Sequence, residues 1–124
     1  MSTTHKILVA DDEPNIVISL EYLLKREGYQ VLVARDGQEA LDAITREQPD
    51  LVLLDVMMPK KSGFEVCQEI KADPALGVVR ILMLTAKGRD TEVAKGLALG
   101  ADAYMTKPFS TRELVDKVRS MLEH

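Results

Sequence analysis

A chain of 124 residues matches one domain, and a domain of this length buries about two thirds of its unfolded surface, enough for a real core. An apolar fraction of 46% beside a charged fraction of 29% is that of a soluble globular protein, and the longest uncharged apolar runs are far too short to cross a bilayer. The net charge of -4 arises from 20 acidic and 16 basic residues spread along the chain, with no basic stripe to follow DNA phosphates, which argues against direct nucleic-acid binding.

Met1-Ser2-Thr3-Thr4-His5-Lys6 leads straight into the apolar run Ile7-Leu8-Val9-Ala10 without the apolar segment and cleavage site of a secretory signal, so the expected location is the cytoplasm. The run is predicted to be a strand, ending in Asp11-Asp12. Ile16, Val17, Leu20, Leu23 and Leu24 then repeat at helix spacing, with Pro14 suited to the first turn and Gly28 to the stop. Val31-Leu32-Val33-Ala34 reads as a second strand, flanked by Gln30 and Arg35 as an edge strand would be. Asp36-Gly37-Gln38-Glu39 offers a helix cap with an acid three places on, leading into Ala40, Leu41 and Ile44 and closing at Pro49.

Leu51-Val52-Leu53-Leu54 is the third strand and ends in Asp55. Pro59 and Gly63 fall in a loop, where Met57-Met58 reads as loop packing; a helix follows from about Phe64 to Ala72, before a break at Asp73-Pro74. Cys67 is the only cysteine, which excludes an internal disulfide, and its place beside Val66 and Ile70 fits a small buried apolar residue. Ile81-Leu82-Met83-Leu84 forms the fourth strand, ending in Thr85, and a helix is predicted from about Asp90 to Leu99 with Gly100 as its C-cap. The fifth strand, Ala103-Tyr104-Met105-Thr106, ends in Lys107. Phe109 reads as core or helix-entry packing, and Ser110-Thr111-Arg112-Glu113 carries a capping-box pattern ahead of Leu114, Val115, Val118 and Met121. Leu122-Glu123-His124 resembles the junction left by a carboxyl-terminal histidine tag, so the expected domain is residues 5–121 and residues 122–124 a tail.

Five strands alternating with five helices call for a parallel sheet covered on both faces, a doubly wound α/β fold. The carboxyl ends of parallel strands share one edge, where such sheets place their binding crevice. Asp11, Asp12, Asp55, Thr85 and Lys107 would meet there. Taken singly, each has a plain structural reading: an acidic helix entry, a strand-end polar residue, a cap, a surface lysine. Taken together they suit phosphoryl chemistry. Crowded carboxylates repel unless a cation neutralises them, and Mg2+ takes oxygen ligands with few carboxylates. An aspartate is a competent nucleophile towards phosphorus, and a hydroxyl, an ammonium and a metal can compensate the charge of the group in transfer. His5 and His124 stand at the termini without ligand partners nearby in sequence and are given no role.

With these residues in place, residues 5–121 resemble a response-regulator receiver domain, the phosphoacceptor half of a two-component signalling system. The resemblance, not the periodicity, implies a flavodoxin-like five-stranded sheet in the order 2-1-3-4-5. It implies Asp55 as the phosphorylated nucleophile and Asp11, Asp12, Asp55 and the backbone carbonyl of Met57 as the Mg2+ site, with Asp12 the direct ligand of the acidic pair and Asp11 acting through water. Thr85 matches the switch hydroxyl, Ala86 the small residue that leaves it room, Lys107 the lysine that pairs with the phosphoryl group, and Tyr104 the aromatic residue that swings inward. Lys107-Pro108 matches the family's cis peptide, making Pro108 structural. The run Gly100–Phe109 and the Met58-Pro59…Gly63 spacing carry the same likeness.

By this likeness the chain takes a phosphoryl group from a histidine kinase, a histidine phosphotransfer protein or a small acyl phosphate, acts as a catalyst only on itself, and signals through the face of the fourth helix, fifth strand and fifth helix to a partner or an attached output domain. The sparse apolar residues of the fourth helix, chiefly Val93, Leu97 and Leu99, fit a mobile element, and Lys87, Arg89, Lys95, Arg112 and Lys117 make the face basic enough for an acidic or self-complementary partner. Pro108-Phe109-Ser110 with Arg112-Glu113-Leu114 resembles receivers of winged-helix transcription factors, many of which form phosphorylation-dependent homodimers, although Ala103 stands where those receivers often carry an acid. Met57 and Lys87 flank the family's path of attacking water, and a bulky apolar Met57 is expected to slow dephosphorylation. Three other readings share the residues or the architecture. A pseudo-receiver would keep the fold without being phosphorylated. A haloacid-dehalogenase-like phosphatase would need an aspartate where Met57 stands and a longer chain for its cap. A flavodoxin-like electron carrier would lack its hydroxyl-rich phosphate loop.

Overall fold

The computed structural model of the chain describes residues 4–86 and 90–123. Its strands are β1 (Lys6–Ala10), β2 (Gln30–Ala34), β3 (Leu51–Asp55), β4 (Arg80–Ala86) and β5 (Ala103–Lys107). Its helices are α1 (Pro14–Arg26), α2 (Gly37–Glu47), α3 (Gly63–Ala72), α4 (Asp90–Ala98) and α5 (Thr111–Leu122), with a 3-10 turn at Pro74–Leu76. All pairings are parallel, in the order β2-β1-β3-β4-β5. The expected doubly wound fold and strand order are both found, and β5 forms the second edge beside the β2 edge that the polar flanks had indicated.

Period-2 alternation of the strands divides the interior into two cores. Leu8, Ala10, Val52, Leu54, Ile81 and Met83 face α2 and α3, where they meet Ala40, Ala43, Ile44, Val66, Cys67 and Ile70. Ile7, Val9, Leu51, Leu53, Leu82 and Leu84 face α1 and α5, against Val17, Leu20, Leu24, Leu114 and Val118. Burial on both faces explains why β1, β3 and β4 are unbroken apolar runs. Phe109 packs at the margin of the second core, as expected.

Helix ends follow local chemistry. Pro14 opens α1, and Gly28 lies just beyond its end at φ +96, a conformation glycine takes without steric cost. Asp36 caps α2 by accepting the Glu39 amide (2.8 Å). The stop of α2 is Gln48 in the left-handed region, with Pro49 only following it. α3 begins one residue earlier than expected, at Gly63, because Ser62 and Glu65 form a full capping box that the sequence analysis did not single out. Ser110 accepts the Glu113 amide (3.0 Å), the anticipated cap of α5, which continues through Leu122, one residue past the expected domain boundary. α4 ends at Ala98 rather than Leu99.

Cys67 is fully buried, as predicted, and its thiol donates to the Leu99 carbonyl (3.7 Å), joining α3 to the end of α4. Burial pushes the thiol above its ordinary value of 9.0. Among the described residues, no helix is long and apolar enough to cross a membrane.

Candidate functional site

Strand register sets the site. Ala10 pairs with Leu54 across β1 and β3, so the next residues, Asp11 and Asp55, emerge at the same level of the sheet edge. Across β3 and β4, Asp55 pairs with Leu84, which brings Thr85 to that edge; Lys107 ends β5 opposite Ala86. Asp11, Asp12 and Asp55 each place a carboxylate oxygen within 4.8 Å of the others'. Asp11 and Asp55 are buried and Asp12 is exposed.

Lys107 is the cation that crosses this cluster. Its Nζ lies 2.7 Å from Asp11 Oδ2, 3.4 Å from Asp55 Oδ1 and 3.4 Å from Glu13 Oε1. Burial disfavours its charge, but the Asp11 hydrogen bond and the charges of Asp55, Asp11 and Glu13 outweigh that and hold its pKa above the ordinary value. Asp55 moves the other way: burial, then the negative charge of Asp11, push it up to about 6, against the pull of Lys107. Among the described residues, the carboxylates of Asp11, Asp12, Asp55 and Glu13 thus face the single ammonium of Lys107. An all-oxygen donor set, crowded and under-compensated, fits a hard divalent cation such as Mg2+.

Asp12, Glu13, Asp55, Met57, Ala86, Glu92 and Lys107 are among the residues lining a cavity of about 350 Å3 above the cluster. Glu13 was not anticipated. Beyond its contact with Lys107, its amide donates to Asp11 Oδ1 (2.9 Å), and the only sequence signal was its place after the acidic pair. Met57 corrects the loop-packing expectation: its side chain is 69% exposed at the cavity mouth, while Met58 packs against the core. The reason is that Val56 turns inward as the last buried residue of the run, leaving Met57 to face solvent.

Thr85 is buried, and its hydroxyl donates to the Ala86 carbonyl (3.2 Å), engaged with its own chain rather than with the carboxylates. Tyr104 is not brought to the cluster. It is 46% exposed and lines a second cavity of about 870 Å3 with Leu97, Pro108 and Lys117, and Lys107 lines both cavities. The Lys107–Pro108 peptide is cis. Lys87, Arg89 and His124 lie outside the described residues.

A parallel doubly wound sheet with an acidic pocket and a lysine at its strand ends defines a class of signalling domain, and the comparisons place the chain within it. The model of the response regulator receiver domain matches residues 7–119, and the chain belongs to that family, a receiver domain of two-component signalling. It is 51% identical over 117 residues to the alkaline phosphatase synthesis transcriptional regulatory protein PhoP of Bacillus subtilis (strain 168), covering 94% of this chain and 48% of that protein. The chain thus spans about half the length of this curated relative. Chemotaxis response regulator CheY4 of Vibrio cholerae superposes with a TM-score of 0.91 at 32% identity, covering 97% of this chain and 100% of that one. A response-regulator structure from Chloroflexus aurantiacus J-10-fl gives a TM-score of 0.94 at 35% identity, covering 98% of this chain and 100% of that one.

Proposed function

We propose that this receiver stores a signal as an aspartyl phosphate on Asp55. The observation that carries the reading is the triangle of Asp55, Asp11 and Lys107, in which one buried carboxylate lies 3.4 Å from an ammonium fixed by another. An Asp55 carboxylate oxygen attacks the phosphorus of a phosphohistidine on a histidine kinase or phosphotransfer protein, or of a small acyl phosphate. The new bond is O–P; the P–N or P–O bond to the donor breaks, and its electron pair leaves with the imidazole or carboxylate. Lys107 follows the incoming charge, since it already bridges Asp11 and Asp55.

Mg2+ bound by Asp12, Asp55 and the Met57 carbonyl, with Asp11 behind them, would neutralise the carboxylates and the phosphoryl oxygens. The exposure of Asp12 and the engagement of both Asp11 oxygens, with Lys107 and the Glu13 amide, support that division of labour. Thr85 leaves the Ala86 carbonyl to meet the phosphoryl group, Tyr104 turns inward from its exposed position, and the α4–β5–α5 face changes for a partner or output region. The chemistry is confined to the chain's own modification and its reversal, and the domain works in the cytoplasm.

The test is intact-mass spectrometry after incubation with Mg2+ and an acyl phosphate. A single phosphate adduct is expected for the wild type and none for Asp55→Asn or with a chelator. No adduct with any donor would leave a binding module in place of a phosphoacceptor. Decay of the adduct is expected to be faster in Met57→Asn, in which a polar group replaces the thioether at the cavity mouth; equal or slower decay removes Met57 from the account of lifetime.

A further inference from the structure

Asp36 and Gly37, expected only to cap α2, pack against the loop that follows Asp55. The Gly37 amide is one of the first helical N–H groups, which have no partner within their own helix. It donates instead to the Pro59 carbonyl (3.1 Å), the same oxygen that accepts the Lys61 amide (2.8 Å). Gly37 also lies so close to this loop that a Cβ there would fall 1.9 Å from the Lys61 carbonyl oxygen. No side chain fits in that space, and the neighbour is backbone that cannot swing aside. Asp36, nearly buried, turns Oδ1 to its own helix and Oδ2 towards Lys60 Nζ (3.6 Å). Lys60 itself stands at φ 70, a left-handed conformation that is unfavourable for a residue with a side chain and needs its surroundings to hold it.

The far end of the loop is fixed as tightly. The Gly63 amide donates to the Val56 carbonyl (2.9 Å), and a Cβ on Gly63 would lie 2.2 Å from the Asp55 carbonyl oxygen. Residues 56–62 are thus pinned at Gly63 by contacts close in sequence and at Pro59–Lys61 by a helix from 22 or more residues earlier.

We propose that Asp36 and Gly37 are positioning residues for the phosphoacceptor site: they fix the course of the 56–62 loop, and with it the Met57 carbonyl, so that cation affinity at the carboxylate cluster depends on the start of α2. This inference rests on the reading of Asp11, Asp12, Asp55 and Met57 as a Mg2+ site. It makes α2, on the far side of the molecule from β5 and α5, part of the machinery that readies Asp55.

The experiment titrates the whole chain with Mg2+ alone, by calorimetry or amide chemical shifts, and measures stability in denaturant alongside. Gly37→Ala is expected to weaken Mg2+ binding about ten-fold or more, the range found when groups that orient metal ligands are lost. Asp36→Asn keeps an acceptor for the Glu39 amide but loses the charge facing Lys60, and a smaller weakening is expected. Lys60→Ala should match it. Gly100→Ala is the control: its Cβ would strike the Lys71 side chain at φ +109, away from the cluster, so it should lose stability with Mg2+ affinity unchanged. Wild-type affinity in a folded Gly37→Ala overturns the inference, as does weakening in Gly100→Ala equal to that in Gly37→Ala. Should Gly37→Ala not fold, unchanged affinity in both Asp36→Asn and Lys60→Ala overturns it. A wild-type chain that takes no Mg2+ overturns the reading of the site itself, a result distinguishable from all of these.

Discussion

On the β3 side of the carboxylate pocket the chain is tied down within a few residues of Asp55: Val56 to Gly63, Pro59 to Gly37 and Lys61, then Ser62 and Glu65 in a reciprocal cap. On the β4–β5 side, among the described residues, fewer side chains are buried. α4 buries Gly96 alone among its residues, Leu97 and Tyr104 are 43% and 46% exposed, and Thr85 is satisfied by the carbonyl of the next residue. One bank of the pocket is held at several points, while on the other α4 leaves most of its side chains exposed. Few buried contacts beside a well-tied neighbour suit the two states proposed for this domain.

The largest expected contrast is in packing. Ile70→Ala on α3 removes a fully buried side chain and should cost about 2–5 kcal/mol in denaturant unfolding, whereas Leu97→Ala on α4 should cost less than about 0.5 kcal/mol. Similar costs would break the distinction between the two banks.

Next comes the charge of Asp55. Its folded pKa of about 6 lies above the ordinary 3.8, so the protonated form is favoured in the folded state. The stability this contributes is complete below pH 3.8 and is lost as pH rises through about 6. A difference of about two units corresponds to about 3 kcal/mol as an upper bound. In metal-free buffer Asp55→Asn, which does not titrate, should match the wild type near pH 4 and be more stable by about 1–3 kcal/mol near pH 7.5. Added Mg2+ should narrow that gap. Equal stability of the two proteins across the range would mean that Lys107 already compensates the cluster.

The smallest effect sharpens the comparison on the loose bank. Gly96→Ala brings a Cβ to 3.3 Å from Met83 Cε, the yielding end of a flexible side chain, and gains up to about 1 kcal/mol of helix propensity. Slower amide exchange in α4, with α3 unchanged, is the expected readout. Faster exchange would show that Met83 does not give way and that α4 is packed more tightly than its exposure implies.

The parts of this architecture written in local patterns were legible in the sequence. Strand runs, helix periods, the Asp36 and Ser110 caps and the Pro14 start all depend on residues within a turn or two of one another. Legible too was the gathering of Asp11, Asp12, Asp55, Thr85 and Lys107 at one edge, because parallel strands leave their carboxyl ends together whatever their order. What stayed hidden depends on approach between distant segments. Gly37 meets Lys61 across 24 positions, and no periodicity announces that a backbone must pass there. Glu13 joins the site through a lysine from the opposite end of the chain. Met57 looked apolar enough to pack, but the buried place beside it was already filled by Val56. β5 carries Asp102 and Lys107 at its ends much as β2 carries Gln30 and Arg35, yet its edge position came only from the strand order that the resemblance implied.

The single thiol of this protein sits where the two banks meet, sealed between α3 and the carbonyl that closes α4. No reagent can reach it while that seam is shut, and no second cysteine competes for label. The alkylation rate of Cys67 is accordingly a clock built into this chain, one that runs only while the cover over the thiol is open.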